Sequence, residues 1–101
     1  MNIILVCASG MSTSLLVRKM IAEGEKRGLK EFNISACSID ELENHIDKFD
    51  VVLIGPQLRY RQQDVAELAN PRSKKYAVID LMSYGTMNGQ KVLNQALEML
   101  Q

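Results

Sequence analysis

One cysteine lies where a thiol can take part in chemistry. Cys7 follows the apolar run of residues 2–6, and a glycine and several small hydroxyl residues come after it. The segment reads Cys7, Ala8, Ser9, Gly10, Met11, Ser12, Thr13, Ser14. Small residues and a glycine let the backbone turn tightly, so that successive N–H groups point into one concavity. A helix that begins near Ser12 would add its free N–H groups and the positive end of its dipole, which predicts an anion site of phosphate size beside Cys7.

A nucleophile beside a phosphate site favours phosphoryl transfer to sulfur. The N–H groups that hold a phosphate also stabilise the thiolate, which is the reactive form of cysteine. Transfer in line then needs mainly positioning and charge stabilisation by the backbone. The hydroxyls of residues 9 and 12–14 can donate hydrogen bonds to the thiolate or to the phosphate. We therefore predict that Cys7 is the phosphorylated residue and that residues 8–14 bind the phosphate.

Two absent motifs narrow the reaction. A cysteine-dependent phosphatase of this plan has Cys-x5-Arg, in which the Arg clamps the phosphate through two hydrogen bonds. Thr13 stands at that position here, so hydrolysis of a phosphocysteine should be slow, as a carrier requires. The pattern GxxxxGK[ST] is also absent, which excludes a nucleotide-binding P-loop. The alternatives are a low-molecular-weight phosphatase or arsenate-reductase-like enzyme that uses Cys7, and a noncatalytic phosphate-binding domain.

Four strands that alternate with four helices are expected to position this loop. The strands are predicted at residues 2–6, 32–37, 50–54 and 75–79. The first helix is predicted over residues 13–27 with a stop at Gly28, the second from a capping box at Ser38–Glu41, the third over residues 59–69, and the fourth from a cap at Asn88. The last helix is expected to have one apolar face, made of Val92, Leu93, Ala96, Leu97 and Leu100. This alternation favours an α/β fold: a three-layer α/β/α sandwich with a four-stranded parallel sheet in the order 2-1-3-4. In such sheets, ligands bind outside the carboxyl ends of the strands at the point where the strand order reverses, here between the first and third strands. The two loops that meet there are residues 7–12 and 55–58.

Composition and charge exclude several classes of function. The chain has 101 residues, and its twelve basic residues balance twelve acidic ones. We expect a single domain over residues 1–101 without a bulk electrostatic attraction to nucleic acid or anionic membrane. No apolar run is long enough to span a bilayer and the start lacks a signal-peptide pattern, so a cytoplasmic protein without direct membrane insertion is expected. The spacing of Cys7, Cys37 and His45 predicts neither a disulfide nor a metal site, and a phosphoryl carrier of this kind is expected to need no cofactor.

Five other polar residues carry weaker signals. Gln57 and Tyr60 follow the third strand. They either line the second loop and contact the phosphate region or a partner, or serve as a turn amide and a partly exposed ring. Asp80 follows the fourth strand, where a phosphatase would keep its general acid, but a turn or cap role is favoured because a carrier gains nothing from hydrolysis. We interpret Cys37 as a packed core thiol and His45 as a partner of a helix dipole.

The whole chain resembles the enzyme IIB component of the bacterial phosphoenolpyruvate:sugar phosphotransferase system, lactose/cellobiose family. The matching stretches are Leu5 to Leu16, Asp50 to Gln57, Val78 to Asp80, Tyr84-Gly85 and Asn88-Gly89, in that order. The resemblance implies that Cys7 accepts a phosphoryl group from a phosphohistidine on a IIA protein. The group would pass to a β-disaccharide such as cellobiose, held by the membrane-embedded IIC transporter. The implied fold resembles low-molecular-weight tyrosine phosphatases, and nothing in the chain requires more than a monomer.

Overall fold

A parallel sheet forms the centre of the molecule. The computed structural model describes residues 1–8 and 11–100, apart from the side chains of Met11 and Ser12. Within that part of the chain, the strands β1 (Asn2–Cys7), β2 (Asn33–Ser38), β3 (Val51–Ile54) and β4 (Lys75–Val78) lie in the order β2-β1-β3-β4. All neighbouring strands are parallel, with Val6 opposite Cys37 on one side and opposite Ile54 on the other. The predicted fold class and strand order are confirmed.

Helices cover both faces of the sheet. They are α1 (Met11–Lys26), α2 (Leu42–His45), α3 (Gln62–Ala69), α4 (Leu81–Gly85) and α5 (Gly89–Met99), and 3₁₀ turns cover Ile39–Glu41, Ile46–Lys48, Pro56–Arg61 and Asn70–Arg72. On one face Leu5 packs in a cluster with side chains of α1 and α5. On the other face Val6 packs in a cluster with side chains of α2 and α3. The apolar run of β1 is continuous because its alternate side chains enter two different cores.

Two predicted helix ends have the expected chemistry. Gly28 has φ +76°, and its N–H donates to the carbonyl of Glu25 at 3.0 Å, while Leu29 N–H donates to the carbonyl of Gly24 at 3.0 Å. These paired hydrogen bonds are those of a Schellman motif, in which glycine adopts the left-handed conformation without strain. At the start of α5, the side chain of Asn88 accepts a hydrogen bond from the N–H of Lys91 at 3.0 Å. The predicted stop at Gly28 and cap at Asn88 are therefore confirmed.

Other boundaries differ from the prediction. Ser38 does not cap the backbone: its hydroxyl donates to Oε1 of Glu41 at 3.0 Å, and the first turn after it is 3₁₀. The helix expected over residues 59–69 starts with a 3₁₀ turn at Pro56 and becomes α-helical only at Gln62. The backbone at Leu58, with φ −107° and ψ 16°, is not helical and interrupts the segment before the α-helix begins. Each of these corrections concerns how a helix starts.

The last helix buries less of its apolar face than its sequence predicts. Val92, Leu93 and Ala96 are buried as expected, and Leu97 is half-buried. Leu100 was expected on the same face but is 38% exposed. It lies one residue beyond the end of α5, where the helical periodicity no longer fixes the direction of its side chain.

Candidate active site

The sulfur of Cys7 lies at the carboxyl end of β1 and is nearly buried. Cys7 is the last residue of that strand and is 2% exposed. Its Sγ lies 3.1 Å from Oγ1 of Thr13 and 3.7 Å from the backbone carbonyl oxygen of Cys37, to which the thiol donates. The sulfur is therefore in contact with polar groups from α1 and β2.

The first turn of α1 brings the Thr13 hydroxyl to the sulfur. Thr13, Leu16 and Met20 are all fully buried, and they lie on one face of the helix at spacings of three and four residues. The two apolar side chains pack in the core, which holds the start of α1 against the end of β1. A helix start also has N–H groups without partners inside the helix and the positive end of the dipole. The amphipathic pattern of α1 therefore sets the position of a hydroxyl and of an anion-attracting helix end.

The other residues of the predicted phosphate loop are described only in part. Ala8 and Ser14 are exposed. Ser9 and Gly10 lie outside the described residues, as do the side chains of Met11 and Ser12. The phosphate contacts assigned to residues 8–14 stay predictions.

The second predicted loop lies beside the first. Gly55 N–H donates to the carbonyl of Val6 at 2.8 Å, so the chain after β3 continues alongside the end of β1. Gln57 and Tyr60 are exposed, and both line a groove of about 520 Å³ at this edge of the sheet. The other groove residues are Pro56, Arg59, Val78, Ile79, Leu81 and Tyr84. The structure thus brings Gln57 and Tyr60 together at the predicted edge, and their contact with phosphate or a partner stays a prediction.

Asp80 caps the next helix. Its Oδ2 accepts hydrogen bonds from the N–H of Ser83 at 3.0 Å and from the Ser83 hydroxyl at 2.9 Å. These two hydrogen bonds lower the pKa of Asp80, because they stabilise the carboxylate. A general acid must instead keep its proton at neutral pH. The predicted cap role is confirmed, and the geometry disfavours a phosphatase acid at this position.

The position of the phosphatase arginine is also occupied differently. Thr13 is the sixth residue after Cys7, is fully buried and contacts the sulfur. A threonine hydroxyl has one O–H donor and no charge, so it cannot clamp a phosphate through two hydrogen bonds as a guanidinium does. A phosphatase depends on a general acid and on this arginine. At this edge of the sheet, Asp80 is instead a helix cap and Thr13 stands in the arginine position.

Cys37 packs beside a core and His45 ends a helix, as the sequence predicts. Cys37 is half-buried beside the α2 and α3 core, and burial raises the pKa of its thiol to about 11, with smaller contributions from Glu41 and Cys7. Both cysteines are free. His45 is half-buried at the last position of α2, the helix end where we expected it. Within residues 1–8 and 11–100, no group of three His, Cys, Asp or Glu side chains is arranged to hold a metal ion.

Exposed apolar side chains surround this edge of the sheet, and the sequence did not predict most of them. Tyr60 is 75% exposed and Met82 is 77% exposed, and Leu15 and Leu81 are exposed as well. We call these four residues the apolar rim. They lie in α1, in the turn after β3 and in α4, which are elements that follow the carboxyl ends of three strands. Leu15 lies outside the buried face of α1, so the helical periodicity of the sequence was a signal that this side chain is exposed.

Comparison with known proteins identifies the group to which this site belongs. Residues 2–95 match the family model described as "PTS system, Lactose/Cellobiose specific IIB subunit". The chain is 40% identical to the oligo-beta-mannoside-specific EIIB component of Bacillus subtilis (strain 168), over 98% of this chain and 95% of that protein. It is also 40% identical to the galactose-specific and cellobiose-specific EIIB components of Lactococcus lactis, over 93% of this chain and 91% of each relative. The described part of the chain has no helix that is both long and apolar enough to cross a membrane.

Solved structures agree with the sequence comparisons. The cellobiose-specific phosphotransferase IIB component of Borrelia burgdorferi is 38% identical and superposes with a TM-score of 0.81, over 98% of this chain and 90% of that one. The lactose-specific IIB domain of Streptococcus pneumoniae shares the fold, with a TM-score of 0.89 over 100% of this chain and 98% of that one at 14% identity. The chain belongs to the lactose/cellobiose-specific IIB subunits of the sugar phosphotransferase system, which are phosphotransferases.

Proposed function

We propose that Cys7 is the residue on which this IIB protein carries the phosphoryl group. The supporting observation is the position of its sulfur, at the end of β1, 3.1 Å from a buried hydroxyl in the first turn of a 16-residue helix. The N–H groups and the dipole at such a helix start stabilise a thiolate and the charge of a transferring phosphoryl group. Residues 8–14 bind the phosphate in this proposal.

Two transfers pass through the sulfur. In the first, the Cys7 thiolate attacks the phosphorus of a phosphohistidine on IIA; the S–P bond forms, the N–P bond breaks, and the imidazole keeps the electron pair. In the second, a sugar hydroxyl attacks that phosphorus; the O–P bond forms, the S–P bond breaks, and sulfur leaves as a thiolate. The hydroxyl proton passes to a base outside this chain. The protein contributes positioning and charge stabilisation, and no cofactor takes part.

Membership of the family supports a proposal for the substrate and the setting. Membership implies that IIA and IIC components act in the same system. The relatives are named for oligo-β-mannosides, galactose and cellobiose, and we assign to this chain a β-disaccharide of the cellobiose type. Residues 1–101 act as one monomeric IIB domain in the cytoplasm, where thiols stay reduced. The transporter supplies the sugar site.

The apolar rim is suited to transient docking. A IIB protein must meet IIA and IIC in turn and bring Cys7 to each reacting group. Aromatic and methionine side chains are enriched at protein interfaces, and methionine adapts to different partners. Tyr60 and Met82 would thus contact the donor and the acceptor component, with Gln57 beside them in the groove.

Replacement of the thiol tests the assignment. We expect Cys7→Ala to fold but to gain no phosphoryl group from phosphorylated IIA, whereas the matched variant Cys37→Ala is labelled like the parent chain. Intact-mass spectrometry under mild conditions measures the label. Labelling of Cys7→Ala would contradict the proposal, and repeated turnover of an aryl phosphate by the parent chain would favour the phosphatase alternative.

A further inference from the structure

The buried contact between Thr13 and Cys7 implies a specific function for the threonine. The Thr13 side chain is fully buried, and its Oγ1 lies 3.1 Å from a sulfur that is 2% exposed. In the neutral thiol, either atom can donate this hydrogen bond. A thiolate has no proton, so the hydroxyl must then be the donor.

The second polar neighbour of the sulfur cannot take over that function. The carbonyl oxygen of Cys37, 3.7 Å from the sulfur, accepts a hydrogen bond from the thiol. A carbonyl is only an acceptor, so it stabilises the protonated sulfur and not the anion. Among the described side chains in contact with the sulfur, the donor is the Thr13 hydroxyl. Because Thr13 is fully buried, water is poorly placed to replace that donor.

We propose that Thr13 is a positioning residue for the sulfur: its hydroxyl donates to the Cys7 thiolate before phosphorylation and again when sulfur leaves in the second transfer. This inference rests on the proposed function of Cys7. Thr13 is the sixth residue after Cys7, where a phosphatase has the arginine that clamps the phosphate. The proposal assigns the Thr13 hydroxyl to the sulfur instead. A donor at the sulfur stabilises negative charge on the leaving atom, and so favours passing the phosphoryl group on.

The position of Thr13 on α1 holds the donor in place. Leu16 and Met20 anchor the same helix face in the core, and Thr13 is β-branched, which restricts its χ1 rotamer. The hydroxyl therefore loses little conformational freedom when it meets the sulfur. Such preorganisation is what makes a hydrogen bond effective in a transition state.

Alkylation of Cys7 by iodoacetamide tests the proposal without any partner protein. The variants are Thr13→Val, which keeps the shape of the side chain and removes the hydroxyl, and Thr13→Ser, which keeps the hydroxyl. Because a hydrogen bond to a charged group is lost, we expect Thr13→Val to move the pH profile of alkylation upward by about one unit and slow the reaction at neutral pH roughly tenfold. Thr13→Ser should keep the parent profile. Peptide mapping separates Cys7 from Cys37, and thermal unfolding checks the fold.

A second measurement follows the leaving-group step. Each variant is phosphorylated by IIA, and the rate at which the phosphocysteine passes its phosphoryl group to sugar is measured with IIC-containing vesicles. We expect Thr13→Val to slow this step about tenfold or more, and Thr13→Ser to restore it. An alkylation profile of Thr13→Val that coincides with that of Thr13→Ser would overturn the proposal. So would a Thr13→Ser variant that passes on its phosphoryl group as slowly as Thr13→Val does. Alkylation does not depend on phosphorylation, so these outcomes are distinct from a failure of Cys7 to accept phosphate.

Discussion

At the scale of single residues, the two cysteines differ because of where their strands place them. Cys7 ends β1 against a hydroxyl from α1. Cys37 lies opposite Val6 on the neighbouring strand, and both pack beside the α2 and α3 core. The type of residue is the same, but the Cys7 sulfur contacts the first turn of α1, whereas Cys37 packs beside a hydrophobic core. The sequence showed this difference, because a glycine and small residues follow Cys7 and not Cys37.

The raised pKa of Cys37 gives a prediction about its reactivity. Burial is the main cause, and it favours the neutral thiol over the thiolate, so the pKa rises to about 11. Because only the thiolate reacts, alkylation of Cys37 in the folded protein should stay slow at neutral pH and increase as the pH approaches about 11. Iodoacetamide labelling with peptide mapping, in Cys7→Ser, measures this profile. The same thiol in denaturant is the reference, and equal rates in the two states near neutral pH would refute the prediction.

At the scale of elements, the site depends on how α1 lies against its neighbours. The face that carries Thr13, Leu16 and Met20 packs on the sheet, and the start of α5 packs on α1. A Cβ on Gly89 would lie 2.7 Å from the backbone of Lys19, which is closer than real Cβ atoms come. Gly89 thus permits a close approach of these two helices, and a side chain there would have to move one of them.

Substitution of two glycines tests this contact. We expect Gly89→Ala to lower the free energy of unfolding by about 1–3 kcal/mol, the usual cost of overpacking. The added Cβ would meet the backbone of Lys19, which cannot rotate away as the end of a side chain can. Gly85→Ala is the matched control, since a Cβ there meets nothing within 4 Å. Chemical denaturation of both variants gives the comparison. If Gly89→Ala were as stable as Gly85→Ala, the helices would not be in the contact described.

At the scale of the whole molecule, the sequence predicted the sheet better than the site. The strand order followed from β-α alternation and right-handed crossovers, which leave few topologies. Helix α4 was not predicted, because five residues with Leu81 and Met82 exposed have no apolar periodicity. The contact of Thr13 with the sulfur depends on how α1 is oriented on the sheet, and no local pattern specifies a distance between two elements. Most of the apolar rim was missed for the same reason, since its members come from three separate segments, and of these the sequence indicated only Tyr60 and Leu15.

The apolar rim gives the last prediction, which concerns the molecule and its partners together. We expect Met82→Asp to slow phosphoryl transfer from phosphorylated IIA about tenfold, because a charge in a docking surface must be desolvated on contact. Met82 is 77% exposed, so folding and the alkylation of Cys7 should not change. Rapid-quench kinetics with increasing IIA measures the effect, which should appear at low concentrations of IIA.

Leu100→Asp is the matched control. Leu100 is also exposed and follows Met99, which lines a separate groove with Lys75 at the start of β4. Parallel strands place the start of β4 at the edge opposite Cys7, so a charge at Leu100 should leave the transfer rate unchanged. Equal losses in the two variants would mean that added charge slows the encounter wherever it lies. A loss confined to Met82→Asp would locate the docking surface at the edge that carries the sulfur, since the two substitutions differ in position and not in chemistry.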